Sequence, residues 1–324
     1  MKYVKYFPTE TDYTVFKSSG NYIEPHCSYV EATDVIHYND PEYKLLNTPL
    51  TFDILTSGNI LWKGSSKTIE YSKNGGTWTS ITGTSAGAEI PVTVGDSVKF
   101  RGDNSSYDGS VKFNSADTTF KISGNIMSML DSDGFASMTA LTGYGGTFSN
   151  FFNGCIGLVD ASKLILPATT LVPSCYQTMF NGCTNLVNGP AVLPAMDLSS
   201  FAMVYGNMFQ GCTALVKAPE LPATILGTNS YYEMFMNCTS LVRAPELPAT
   251  TLTMNCYYEL FRGCSSLNYV KALFTTTPGT NGSTSYWLNG VAATGTFVRN
   301  SEATWQNSIT PGVDTVPSGW TITT

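Results

Sequence analysis

Charge is scarce in this chain. Only 13% of its 324 residues are charged, about half the usual share, and 17 Lys plus Arg face 24 Asp plus Glu. A net charge of −7 offers no basic stripe for phosphates, which argues against nucleic acid as a partner. No run of 18 apolar residues occurs, so no helical membrane span is expected. Histidine is limited to His26 and His37, and neither a phosphate-cradling loop nor a framed pair of carboxylates is found. The expectation is a protein that is not an enzyme and has no catalytic residue, cofactor or metal. The opening "MKYVKYFPTETDYTVFKSSG" lacks the apolar stretch and small-residue cleavage site of a secretory leader. Either a leader is removed upstream of it, or the protein leaves its cell by another route, such as lysis by a phage.

Three short matches carry little chemistry. "GTSAG" at 83 to 87 has the spacing of a nucleophile elbow, but a strand-like segment follows it and both histidines lie upstream. "RGDN" at 101 to 104 ends a strand-like segment, where Gly-Asp is ordinary turn chemistry. "DNSSYD" at 103 to 108 has two carboxylates but neither the spacing nor the closing Glu of a calcium loop.

What is abundant is apolar and small. Hydrophobic residues make up 42%, and Thr, Ser, Gly and Asn are frequent, which fits a β-rich, solenoid or fibre-like protein of two or three domains. Of eight cysteines, Cys27 stands alone and the others fall in a repeated region without zinc-ligand spacing. One cysteine at a fixed place per repeat reads as a small buried residue in a stacked column, with disulfides as the alternative.

The repeat is "MFNGCTNL" at 179, "MFQGCTAL" at 208, "MFMNCTSL" at 234 and "LFRGCSSL" at 260, preceded by "FFNGCIGL" at 151. Its cysteines, Cys155, Cys183, Cys212, Cys238 and Cys264, are spaced 28, 29, 26 and 26 residues apart. Between them run "LPATTL", "LPAMDL", "LPATIL" and "LPATTL", from 166, 193, 221 and 247. A fixed period in the twenties marks a solenoid of stacked coils. Each coil divides into a short strand ("LVKAPEL", "LVRAPEL"), a turn whose Leu171, Leu198, Leu226 or Leu252 points inward, and a third piece with helical spacing. In that piece Tyr176/Met179/Phe180, Tyr205/Met208/Phe209, Tyr231/Met234/Phe235 and Tyr257/Leu260/Phe261 stand at i, i+3 and i+4, which predicts one short helix per coil ended by Gly182, Gly211, Asn237 or Gly263.

The wording F-x-G-C-x-S-L with L-P upstream, over roughly residues 148 to 273, resembles the BspA-type leucine-rich repeats of bacterial surface proteins. Cys175-Tyr176 and Cys256-Tyr257 stand where the commoner version has Ile-Gly, a variant similar to repeats of gut Bacteroidetes and their phages. The resemblance implies a strand and a short helix per coil, and adhesion rather than catalysis.

The expected architecture is mainly β with short helices. Residues 1–48 form an extended attachment segment, 49–123 an immunoglobulin-like β-sandwich, 124–273 the solenoid of about five coils, and 274–324 a C-terminal cap containing Trp287, Trp305 and Trp320. Seven alternating segments, "LTFDILT", "NILWKG", "KTIEYSK", "TWTSI", "IPVTV", "SVKFR" and "TFKISG", supply the sandwich, with "SKNGGTW" as a hairpin. The first 48 residues hold seven tyrosines and three prolines without a period. They read as an anchor onto another protein through Tyr3, Tyr6, Phe7, Tyr13, Phe16, Tyr22 and Tyr29, or as an arm along the chain's own sandwich.

Variable positions after the recurring Leu-Val align as one candidate ligand column, Asp160, Asn188, Lys217, Arg243 and Tyr269, with Glu220 and Glu246 in a second. Cross-coil ion pairing, for example Lys217 with Glu246, is the alternative. Tyr232 and Tyr258 are candidate platforms for stacking glycans, whereas Tyr231 and Tyr257 read as core. Two settings fit. One is a virion protein, a phage head or tail fibre or decoration protein, docked on capsid or tail by residues 1–48 and holding its solenoid toward a host protein or glycan. The other is a bacterial cell-surface adhesin. A homo-oligomer is expected, though no heptad seam sets its order.

Overall fold

The computed structural model describes residues 41–324 except 65–66, 106, 108, 116 and 306–315. The chain is mainly β, with one α-helix, α1 (Pro41–Leu46), and three short 3-10 turns among the described residues. The residues expected to attach the protein, Tyr3 to Tyr29, lie outside them.

Eight strands build the first module: β1 (Leu50–Ile54), β2 (Gly58–Lys63), β3 (Thr68–Lys73), β4 (Thr79–Thr82), β5 (Ala88–Val92), β6 (Ser97–Arg101), β7 (Lys112–Asn114) and β8 (Phe120–Asn125). Seven of these are the alternating segments of the sequence. The eighth, β7, is only three residues long and sits between turn-rich stretches, which hides its alternation. Asn74 and Gly75, both at positive φ, close the β3–β4 hairpin, whose strands pair from Thr68↔Thr82 to Tyr71↔Thr79. The strands fall into two sheets, β5-β2-β7 and β4-β3-β6-β1-β8-β9, with β9 spanning Leu158–Ile165. The sheets face each other through Phe113 of one, whose ring lies 4.9 Å from Phe52 and 4.7 Å from Phe100 of the other.

β9 belongs to the first repeat. It runs parallel to β8, Phe120↔Leu158 to Asn125↔Ile165, so the repeats begin as the sixth strand of the module's own sheet. The core is continuous too, since Phe113 lies 6.0 Å from Phe152, nearly parallel to it, and Phe152 heads a column of rings. Phe152, Phe180, Phe209, Phe235 and Phe261 follow one another at 5.2–5.7 Å with interplanar angles of 1–12°. Beside it runs a second column, Phe148, Tyr176, Tyr205, Tyr231, Tyr257 and Trp287, at 5.9–6.3 Å. The interior contains Phe, Met, Cys and Leu, including the four leucines of the turns.

Where the spacing predicts a helix, the chain makes a ribbon of tight turns. Within residues 174–183, the amides of Gln177, Met179, Asn181 and Cys183 donate to carbonyls three residues back. Those of Tyr176, Thr178, Phe180 and Gly182 donate to Val204, Gly206, Met208 and Gln210 of the next coil. Alternate amides therefore close turns and cross-link coils, an arrangement that satisfies the backbone and that an α-helix, bonding only to itself, could not achieve. Each turn requires a left-handed residue every fourth position: Ser174, Thr178, Gly182; Met203, Asn207, Gly211; Asn229, Glu233, Asn237; Asn255, Glu259, Gly263. A period of four is close to 3.6, so the same residues face inward in either conformation.

The stack runs past residue 273. Gly263 donates to Asn289, Phe261 to Trp287 and Glu259 to Ser285, and Gly290 repeats the left-handed corner. Strands β10 (Tyr269–Ala272), β11 (Gly295–Arg299) and β12 (Trp320–Thr323) continue it as a parallel sheet. Trp287, Trp305 and Trp320, expected to cover the last coil, are buried at this end.

Candidate functional site

The two columns of variable residues meet at the fourth and fifth coils. Parallel bridges Asp160↔Asn188, Asn188↔Lys217 and Arg243↔Tyr269 align the first column, and Val192↔Glu220 and Leu247↔Ala272 set the second. At its C-terminal end lies an open cleft of about 590 Å³, lined by Glu220, Arg243, Glu246, Tyr269 and Lys271, with Pro222, Pro245 and Pro248 among its walls. Leu221 and Ala244, both buried, form its apolar floor.

The guanidinium of Arg243 lies over the ring of Tyr269, its central carbon 3.5 Å from the centroid. Glu246 Oε1 sits 3.0 Å from Lys271 Nζ. The pairing of Lys217 with Glu246 does not form. Parallel register places Lys217 in the column of Asn188, whereas Glu246 stands beside Lys271. Lys271 escapes the sequence reading because its strand, "NYVKAL", departs from the "LVxAPEL" wording of the coils before it.

Asp160 and Asn188 lie higher in the column and hold each other: Asn188 Nδ2 donates to Asp160 Oδ2 at 3.1 Å, and the Ser162 amide donates to Oδ1 at 2.8 Å. Burial opposes the charge of Asp160, but the bonds from Ser162 and Asn188 outweigh it and hold its carboxyl below the usual range. These two and Lys217 lie outside the cleft.

Tyr232 and Tyr258 are on the ribbon, not in the cleft. Their rings stack on each other at 4.8 Å and 5°, so each already uses one face. Desolvation, then the neighbouring Glu233, pushes the Tyr232 hydroxyl above its ordinary range, and desolvation and Glu259 do the same for Tyr258. Glu233 also accepts from Asn207 at 2.9 Å and Gln210 at 2.8 Å. Tyr231 and Tyr257 are buried.

The short motifs are occupied by structural contacts. Arg101 bonds Glu70 at 2.8 Å beneath Trp78, and Asp103 accepts from the Ser132 amide at 2.8 Å. The Gly87 amide closes a turn onto the Thr84 carbonyl between β4 and β5, and the Gly83 amide donates to the Lys67 carbonyl. Asp108 lies outside the described residues. Among the described residues no helix is long and apolar enough to cross a membrane.

No family model, curated protein or solved structure matches the chain.

Proposed function

We propose that this protein is a non-catalytic adhesion protein of a phage particle, a fibre or decoration protein that grips its target with a stack of repeats. The stacked coils are read as a leucine-rich-repeat solenoid of BspA type, and the two facing sheets as an immunoglobulin-like sandwich. The wording of the repeat supports the first, as does the parallel bonding of each coil to the next. The observation that carries the binding role is the cleft, where Glu220, Arg243, Glu246, Tyr269 and Lys271 converge from successive coils above an apolar floor. Residues 1–48, with seven tyrosines, are assigned to docking on capsid or tail, and a homo-oligomer is the expected form.

The test is quantitative mass spectrometry of density-purified particles beside the host envelope fraction. Many copies per particle, at a fixed ratio to the capsid protein, are expected, together with loss of that association when residues 1–48 are deleted. Recovery from the envelope alone would overturn the virion assignment in favour of a bacterial surface adhesin.

A further inference from the structure

We infer that the cleft takes a carboxylate-bearing sugar, with the carboxylate on Arg243 and ring hydroxyls donating to Glu220. The inference rests on the cleft being the adhesive site and names what it binds. Stacking on Tyr269 uses the face of the Arg243 guanidinium and leaves its N–H edges pointing sideways. Among the described residues no hydrogen bond or ion pair occupies those edges. A planar fork held flat on a ring and unfilled at its edge matches a carboxylate, which takes two parallel N–H bonds. The second cation, Lys271, is already matched by Glu246.

The rest of the lining decides between anions. Two carboxylates, Glu220 and Glu246, stand at the same cleft, and the chain carries −7 overall. That setting penalises a doubly charged phosphate more than a single carboxylate. Glu220 makes no ion pair among the described residues and accepts hydrogen bonds only, so it calls for hydroxyl donors close to the anion. Pro222, Pro245 and Pro248 bring no amide donors of their own, and they offer an apolar surface to the C–H face of a sugar ring. One residue class has a carboxylate, adjacent hydroxyls and an apolar face together: uronic and sialic acids. A volume of about 590 Å³ falls within the range of small-molecule sites, roughly 300–1,000 Å³.

Binding is measured by calorimetry on the full chain with 3′-sialyllactose and with a hexasaccharide of alternating glucuronate and N-acetylglucosamine, each beside its carboxyl-reduced form. At least one acidic probe should bind, and its reduced form about tenfold or more weaker. Arg243→Lys should lose a comparable factor while melting as the parent does, Arg243→Gln should lose at least as much, and Lys217→Ala, outside the cleft, should bind normally. Equal binding of reduced and acidic probes, indifference to Arg243→Lys, or no binding of either acid at millimolar concentration overturns the ligand class. Adsorption of labelled protein to host cells separates that failure from the broader one. If Tyr269→Ala abolishes adsorption while the acids fail, the adhesive cleft survives and the sugar does not. If Tyr269→Ala leaves adsorption intact, both fall.

Discussion

A buried hydroxyl is useful only with a partner, and this chain contains both cases. Tyr107 donates to the Met129 carbonyl at 2.6 Å and accepts from Asn104 at 2.9 Å, deep in the first module. Tyr205 is equally buried in the ring column but has no protein partner for its hydroxyl. The same substitution should therefore act oppositely. Tyr107→Phe is expected to cost about 1–3 kcal/mol, and Tyr205→Phe to be neutral or stabilising, as read from urea midpoints. The thiols make a pH prediction. The seven cysteines among the described residues are buried, and burial pushes Cys155, Cys175 and Cys264 up to about 12 and Cys256 to about 11. Unfolded thiols ionise near pH 8.5–9, so above that pH the unfolded chain sheds protons that the fold retains. Stability is then full below about pH 8.5 and falls as pH rises toward the folded values, by roughly 1.4 kcal/mol per pH unit for each thiol. A urea midpoint unchanged between pH 8 and 10 would contradict this.

The ribbon of turns accounts for what the sequence could and could not reveal. Tyr176, Met179 and Phe180 are inward residues in a helix and in a four-residue turn alike, so their spacing marks the buried face without choosing the conformation. The choice is made by the neighbouring coil, whose carbonyls capture every second amide, and one coil read alone contains no sign of that. Most strands of the first module are readable because they alternate over four residues or more, whereas β7 is too short to do so. In the cleft, Glu220, Arg243, Glu246 and Tyr269 could be placed by repeat alignment, whereas the ion pair of Glu246 depended on register between columns. Two glycines test the stacking directly. At Gly182 (φ +69) an added Cβ meets nothing nearer than 3.7 Å, so Gly182→Ala should cost only the left-handed penalty of about 1 kcal/mol. At Gly227 the same atom would run into the backbone carbonyl of Leu198 in the preceding coil, which cannot turn aside, and Gly227→Ala should lower the melting temperature clearly further. Equal effects would mean that the coils do not stack in this register.

Because β9 completes the sheet containing β1 and β8, the first module and the repeats share hydrogen bonds and one aromatic core, instead of meeting at a linker. The first module and the stack of repeats are thereby joined by one continuous hydrogen-bonded path. Unfolding should be a single cooperative event, with indole fluorescence near Trp62 and near Trp287 changing together. Two separated transitions in Trp62→Phe and Trp287→Phe variants would show that the shared sheet does not couple them.

The repeated rung also has a genetic consequence. Successive coils meet through equivalent interfaces about 5.2–5.7 Å apart along the ring column, so a duplication or loss of one period would lengthen or shorten the protein by one rung. Above Lys217 such changes would alter reach alone. Between Glu220 and Lys271 they would separate or remove residues of the proposed cleft, so, if the cleft is the adhesive site, length can drift in one half of the stack while the other half is held to its present count.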